Sequence, residues 1–193
     1  MQAFLALVDR LNAAGAGERP GIEAEIWERF GVERALLALD MSQFSLSVRR
    51  SGILPYLGLI RRMQAVTAPI VARHGGTVIK YLADNMIASF PSADEAAGAA
   101  LAINRAIVEG AERFTVAMGI DYGRFLLVDD ADCYGDPVNV ACKLGEDVAD
   151  SGEVLLTAAA RACLDPSFPH ALRETTVSVS GIEVHVFAVE AAR

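Results

Sequence analysis

A few charged side chains interrupt apolar runs in this chain, and any chemistry would begin with them. Lys80 and Asp84 fall in Thr77-Val78-Ile79-Lys80-Tyr81-Leu82-Ala83-Asp84-Asn85, which reads as a strand entering a hairpin turned at Asp84-Asn85. The apolar run Met86-Ile87-Ala88-Ser89-Phe90 is the return strand. A period of two predicts Val78, Lys80, Leu82 and Asp84 on one face, so an ammonium and a carboxylate break an apolar row. Asp40 closes Ala35-Leu36-Leu37-Ala38-Leu39, a run too short for a free helix and typical of a strand buried on both faces. It either caps the next element or places a carboxylate at the end of a central strand, where active sites often lie. Asn139 and Lys143 stand four apart on a helix announced by Gly135-Asp136-Pro137-Val138, with Asp136 as N-cap and Pro137 at the first helical position. The two share one face near the helix's positive end, an arrangement that an ordinary solvated face also carries. In a chain of net charge −8, an anionic ligand would have to be held by a metal or by such local cations.

The elements that must position these residues can be read from composition and periodicity. The chain has 193 residues, 53% of them hydrophobic, enough for one domain with a substantial core and a small appendage. Its acidity argues against nucleic acid or an anionic membrane as partner, since phosphate backbones select basic surfaces. No apolar run approaches the ~20 residues of a membrane span, and Met1-Gln2-Ala3-Phe4-Leu5 lacks the basic start of a signal peptide, so a cytoplasmic location is expected. Cys133, Cys142 and Cys163 show no metal-type spacing and read as reduced thiols, Cys142 and Cys163 as buried ones.

Helical spacing covers Gln2 to Asn12 and about Ile22 to Phe30, an N-terminal extension (1–32) that could cover a hydrophobic face or serve as a dimer contact. A second region (33–193) comes next: a long helix from Ile53 to about His74, the Lys80 hairpin, and an alanine-rich helix from Ser92 to Ala111 opened by the capping box Ser92/Glu95. Next come a strand from Phe114 to Asp121, a break at Gly123 and a strand from Arg124 to Val128. Asp129, Asp130 and Asp132 cluster in a loop, the first two as a solvated acidic loop. Beyond the Asn139 helix lie a strand at Glu153–Thr157, a short helix at Ala158–Leu164, and a closing hairpin turned at Ser180-Gly181. Interleaved helices with three hairpins predict an α+β sandwich, a mixed, mainly antiparallel sheet with helices packed on it.

Four motifs in order resemble the catalytic domain of class III nucleotidyl cyclases from about Ala35 to Leu164. Asp40-Met41-Ser42-Gln43-Phe44 resembles Asp-Ile-x-Gly-Phe, and Lys80-Tyr81-Leu82-Ala83-Asp84 resembles Lys-Thr-Ile-Gly-Asp. Gly119-Ile120-Asp121-Tyr122-Gly123 is similar to Gly-Ile-His-x-Gly, and Asp132 to Leu144 to Asp-x-Trp-Gly-Asp-x-Val-Asn-x-Ala-x-Arg-Met. The resemblance implies the ferredoxin-like, palm-type fold and an adenylate cyclase that converts ATP to 3′,5′-cyclic AMP and pyrophosphate. It implies two Mg²⁺ or Mn²⁺ ions per site, held by Asp40, Asp84 and the Met41 backbone carbonyl, hard oxygen ligands suited to these ions. Lys80 and Asp132 match the base-reading pair: the Lys donates to adenine N1 and the Asp accepts from the 6-amino group, a pattern guanine does not present. Asn139 matches the residue that positions the ribose, and Lys143 the position of an arginine that stabilises the pentavalent phosphorus. Family sites lie between two chains, which implies a homodimer with active sites at the interface.

Two departures bear on activity. Lys143 in place of arginine keeps the charge but loses the two-pronged donor, expected to cost ~1 to 3 kcal/mol of transition-state stabilisation, or roughly ten- to hundredfold in rate. Ala83 stands in place of glycine, which is tolerable at ordinary φ and strained at positive φ. These departures suit an alternative, a degenerate cyclase-like module that binds nucleotide or dimerises without turnover.

Overall fold

The structure is a computed structural model and describes residues 1–42, 52–110, 112–179 and 182–190. Gln43 and Phe44 of the first motif, Ala111 and the expected Ser180-Gly181 turn lie outside the described residues. Helices α1 (Gln2–Ala13) and α2 (Arg19–Phe30) lead directly into β1 (Gly31–Met41), followed by α3 (Leu54–Arg73) and the hairpin β2 (Thr77–Leu82) and β3 (Asn85–Phe90). Then come α4 (Ala93–Glu109), β4 (Val116–Val128), β5 (Asp132–Tyr134) and α5 (Asp136–Lys143), which runs on into a π-helical turn (Leu144–Val148). Strand β6 (Val154–Thr157), α6 (Ala158–Ala162) and the pair β7 (Leu172–Val179) and β8 (Ile182–Val189) complete the chain.

One eight-stranded sheet runs β2-β3-β1-β4-β6-β8-β7, with β5 paired to β4. Only the β4–β6 pairing is parallel among the described strands; the others are antiparallel, giving the expected mixed α+β architecture. Strand β1 is buried on both faces. Leu37, Leu39 and Met41 join the core under α3 and α4 with Met63, Ile70, Ala96, Ala100 and Ile103. Leu36 and Ala38 face the other way, against Phe125, Cys133, Val138 and Ala141. The capping box forms as the sequence predicts: Glu95 N–H donates to Ser92 Oγ, and Ser92 N–H donates to Glu95 Oε2. Helices α1 and α2 cover the far end of β4, where Phe4, Leu7, Ile22 and Ile26 bury Val128 and pack on Leu126.

Four expectations need correction. Gly123 does not end a strand, because β4 continues through it as one 13-residue element. A Cβ at Gly123 would stand 2.9 Å from Pro137 Cγ, so this glycine makes room for α5 rather than a turn. The hairpin instead turns at Asp129-Asp130, both with left-handed φ (+53° and +51°), before β5. The β2–β3 turn is Ala83-Asp84, since Leu82 pairs with Asn85. Cys163 is exposed, because α6 is five residues long and buries only Ala160.

The fourth correction concerns the face of Lys80. The β2–β3 register slips between Val78 and Lys80, leaving Ile79 as a bulge. Val78 lies opposite Ala88 and packs on the α3/α4 core, whereas Ile79 and Ile87, the latter opposite Lys80, belong to the cluster under α5. Val78 and Lys80 therefore project from opposite faces. Were β2 paired regularly through Ile79, Lys80 would lie opposite Met86 and point into the helical core.

Candidate active site

Asp40 and Lys80 project from one sheet face, the one on which α5 lies. Alternation along β1 puts Asp40 in phase with Leu36 and Ala38, and across the sheet Ala38 pairs with Gly119 and Leu36 with Asp121. Helix α5 can sit this close because that row of β4 carries glycines: a Cβ at Gly119 would lie 2.3 Å from the Ala141 carbonyl oxygen. The Gly119–Gly123 motif is thus a seat for the helix bearing Asn139 and Lys143. Asp121, between the two glycines, is buried, accepts a hydrogen bond from Thr157 Oγ1 and one from Tyr122 N–H, and has its carboxyl pushed up by burial.

The site residues come together as three pairs. Asp40 and Asp84 form the first. The Ala83-Asp84 turn is tied to the end of β1, where Met41 N–H donates to the Asp84 carbonyl at 3.3 Å. Burial, followed by the negative charges of Asp84, Glu146 and Asp147, pushes the Asp40 carboxyl up to about 7. Asp84 is also raised, by burial. Among the described residues no three His, Cys, Asp or Glu side chains gather as a ready-made metal cage. Two crowded, half-buried carboxylates do fit a hard divalent cation whose remaining positions phosphate oxygens and water would fill, the usual way Mg²⁺ is held.

Lys80 and Asp132 form the second pair, Nζ to Oδ1 at 2.5 Å. Asp132 Oδ1 also accepts from Cys133 N–H at 2.9 Å, and Oδ2 accepts from the Tyr134 hydroxyl at 2.7 Å. Burial pushes the Asp132 carboxyl up, but Lys80, Tyr134 and the Cys133 N–H outweigh it and hold it below the ordinary carboxylate value. The hydrogen bond to Asp132 in turn raises Lys80. Both groups are therefore ionised at neutral pH.

Asn139 and Lys143 form the third. Both are exposed on α5 and line a groove of about 800 Å³ with Asp121, Asp136, Thr157 and His185; none of Asp40, Asp84, Lys80 and Asp132 lines it. Gly135, not Asp136, caps α5, and Lys143 lies where α5 joins the π-turn, away from the positive end. Its ammonium donates to Asp147 Oδ2 at 2.8 Å. Three residues near these pairs are not evident from the sequence. Glu146, whose Oε1 accepts from Asn85 Nδ2 at 2.8 Å, and Asp147 sit on the π-turn, where the i,i+4 spacing from Lys143 to Asp147 is the available signal. Tyr134 carries no signal beyond its place in the last motif.

Comparison with known proteins gives a consistent picture. No family model matches the chain. A Rhizobium meliloti (strain 1021) protein named "Putative adenylate cyclase 3" is 32% identical over 130 residues, 64% of this chain. The match spans 22% of that protein's length, about a fifth. An adenylate/guanylate cyclase/hydrolase from Silicibacter pomeroyi superposes with a TM-score of 0.70 at 26% identity, over 84% of this chain and 98% of that one. The guanylate cyclase domain of RhGC from Catenaria anguillulae, in complex with GTP, superposes with a TM-score of 0.71 at 16% identity, over 84% of this chain and 99% of that one. No described helix is long and apolar enough to cross a membrane. In fold and in sequence the chain is thus similar to the catalytic domains of class III nucleotidyl cyclases.

Proposed function

We propose that the chain is an adenylate cyclase domain acting as a homodimer, converting ATP to 3′,5′-cyclic AMP and pyrophosphate. The observation that carries this reading is the Lys80–Asp132 pair, which sets a hydrogen-bond donor beside an acceptor at 2.5 Å. Adenine offers the complementary acceptor, N1, beside a donor, its 6-amino group; guanine offers O6 and N1–H in the reverse order. Asp40, Asp84 and the Met41 carbonyl would hold two Mg²⁺ or Mn²⁺ ions. When bound, these ions neutralise phosphate charge and lower the pKa of the attacking hydroxyl. In the reaction the ribose 3′-oxygen bonds to the α-phosphorus as the bond to the bridging oxygen breaks, releasing pyrophosphate. Asn139 would orient the ribose, and Lys143, once released from Asp147, would meet charge growing on the phosphoryl oxygens. That the groove carrying Asn139 and Lys143 is lined by none of the other four residues supports a site completed by a second chain.

A module without turnover is the second reading, favoured by the engagement of Lys143 with Asp147 and by the left-handed φ of +53° at Ala83. Incubation with ATP or GTP and Mn²⁺ or Mg²⁺ separates the two. Cyclic AMP should form, and Asp40→Ala should abolish it; no product above that control under any condition would reject the enzyme.

A further inference from the structure

We infer that Tyr134 is a positioning residue for base selection, fixing the carboxylate of Asp132 so that one acceptor site faces the nucleobase. This rests on the reading of Lys80 and Asp132 as the base-reading pair. A carboxylate has about four lone-pair sites. In Asp132 three are occupied: Oδ1 by Lys80 Nζ and Cys133 N–H, Oδ2 by the Tyr134 hydroxyl. One site on Oδ2 remains. It can accept from a 6-amino group, while the oxygen of a 6-keto group would meet a lone pair there.

The hydroxyl is held in place from behind. Tyr134 is 43% exposed, yet its ring stacks on Phe4 of α1 with centroids 5.4 Å apart and planes 13° from parallel. Phe4 is itself buried and packs edge-on to Phe30 at 5.2 Å. A short strand that would otherwise leave its tyrosine free to rotate is thereby braced by the N-terminal helices. Removal of the hydroxyl takes away the donor that fixes Oδ2, so the carboxylate can turn its acceptors towards the N1–H that guanine offers and discrimination against guanine weakens. Fold-stabilising contacts stay, because phenylalanine keeps the ring on Phe4.

The test is Tyr134→Phe, assayed for kcat and KM with ATP and GTP. Equilibrium binding of the non-cyclisable α,β-methylene analogues of both nucleotides is measured in parallel. The ratio of ATP to GTP kcat/KM should fall about three- to tenfold, the scale for losing one hydrogen bond that orients a charged group. The change should be carried by KM, with the thermal midpoint unmoved. If the wild type makes cyclic AMP and the variant keeps its ratio, the role of Tyr134 is refuted and the cyclase reading stands. If the wild type binds both analogues without turnover, the cyclase reading falls, and the shift in analogue affinity ratio decides the role of Tyr134 alone. A wild type that neither binds nor turns over either nucleotide overturns both.

Discussion

Replacing Ala83 by glycine should stabilise this protein, against the usual direction of an alanine-to-glycine change. Ala83 is the first residue of the two-residue β2–β3 turn and has φ +53°, while Asp84 does not share the positive φ. That φ pattern belongs to a type II′ turn, whose first position favours glycine. Holding an L-residue there costs roughly 1 to 2 kcal/mol. Glycine removes that strain but loses about 0.4 to 1 kcal/mol through the greater freedom of its unfolded chain. Ala83 is exposed, so no packing is forfeited. The net gain spans roughly 0 to 1.6 kcal/mol and centres at about 0.8, a rise of about 2 to 3 °C in thermal midpoint for a chain this long. Thermal unfolding of Ala83→Gly beside Ala83→Val reads this out, with valine moving the other way because a β-branched residue tolerates positive φ least. A glycine variant no more stable than wild type would refute the argument that the turn is strained.

The same geometry sets further outcomes. Lys143→Arg should raise cyclic AMP turnover roughly tenfold or more, since a planar fork can engage two phosphoryl oxygens and Asp147 is only a surface partner; unchanged turnover removes Lys143 from the transition state. Burial raises the Asp121 carboxyl, so the folded state binds more protons than the unfolded one between the ordinary value of 3.8 and the raised folded one. Its contribution to stability therefore falls as pH rises through that window. Asp121→Asn should gain in urea midpoint relative to wild type as pH increases from 4 to 8, and a pH-independent difference would contradict the assignment.

The sequence carries the element order well, and for physical reasons. The double-sided burial of Ala35 to Leu39 and the Ser92/Glu95 box are local signals that tertiary structure had no cause to override. The misplacements share one origin. Gly123 reads as a breaker only while nothing is known of Pro137 pressing on it from α5, and a period of two along β2 cannot reveal the bulge at Ile79. The exposure of Cys163 likewise reflects how little α6 buries. For the candidate site, motif order names six side chains and the resemblance pairs Lys80 with Asp132, whereas their direct contact across 52 residues comes from topology. Glu146 and Asp147 fall outside every motif, and their effect on Asp40 depends on the chain turning back towards β1.

The bulge at Ile79 divides β2 into two segments with independent phase. The part before it reaches the helical core through Val78, and the part after it alternates afresh, with Lys80 on the opposite face and Tyr81 back in the helical core, its hydroxyl 2.9 Å from Thr67 Oγ1. Deleting Ile79 would leave Val78 opposite Ala88 and Lys80 opposite Ile87 as neighbours in a regular ladder, so both halves keep their faces and only the packing of Ile79 itself is lost. Mutational scans that include single-residue indels should therefore find a deletion at Ile79 milder than one between Lys80 and Asp84, which would change the phase of the lysine against the turn.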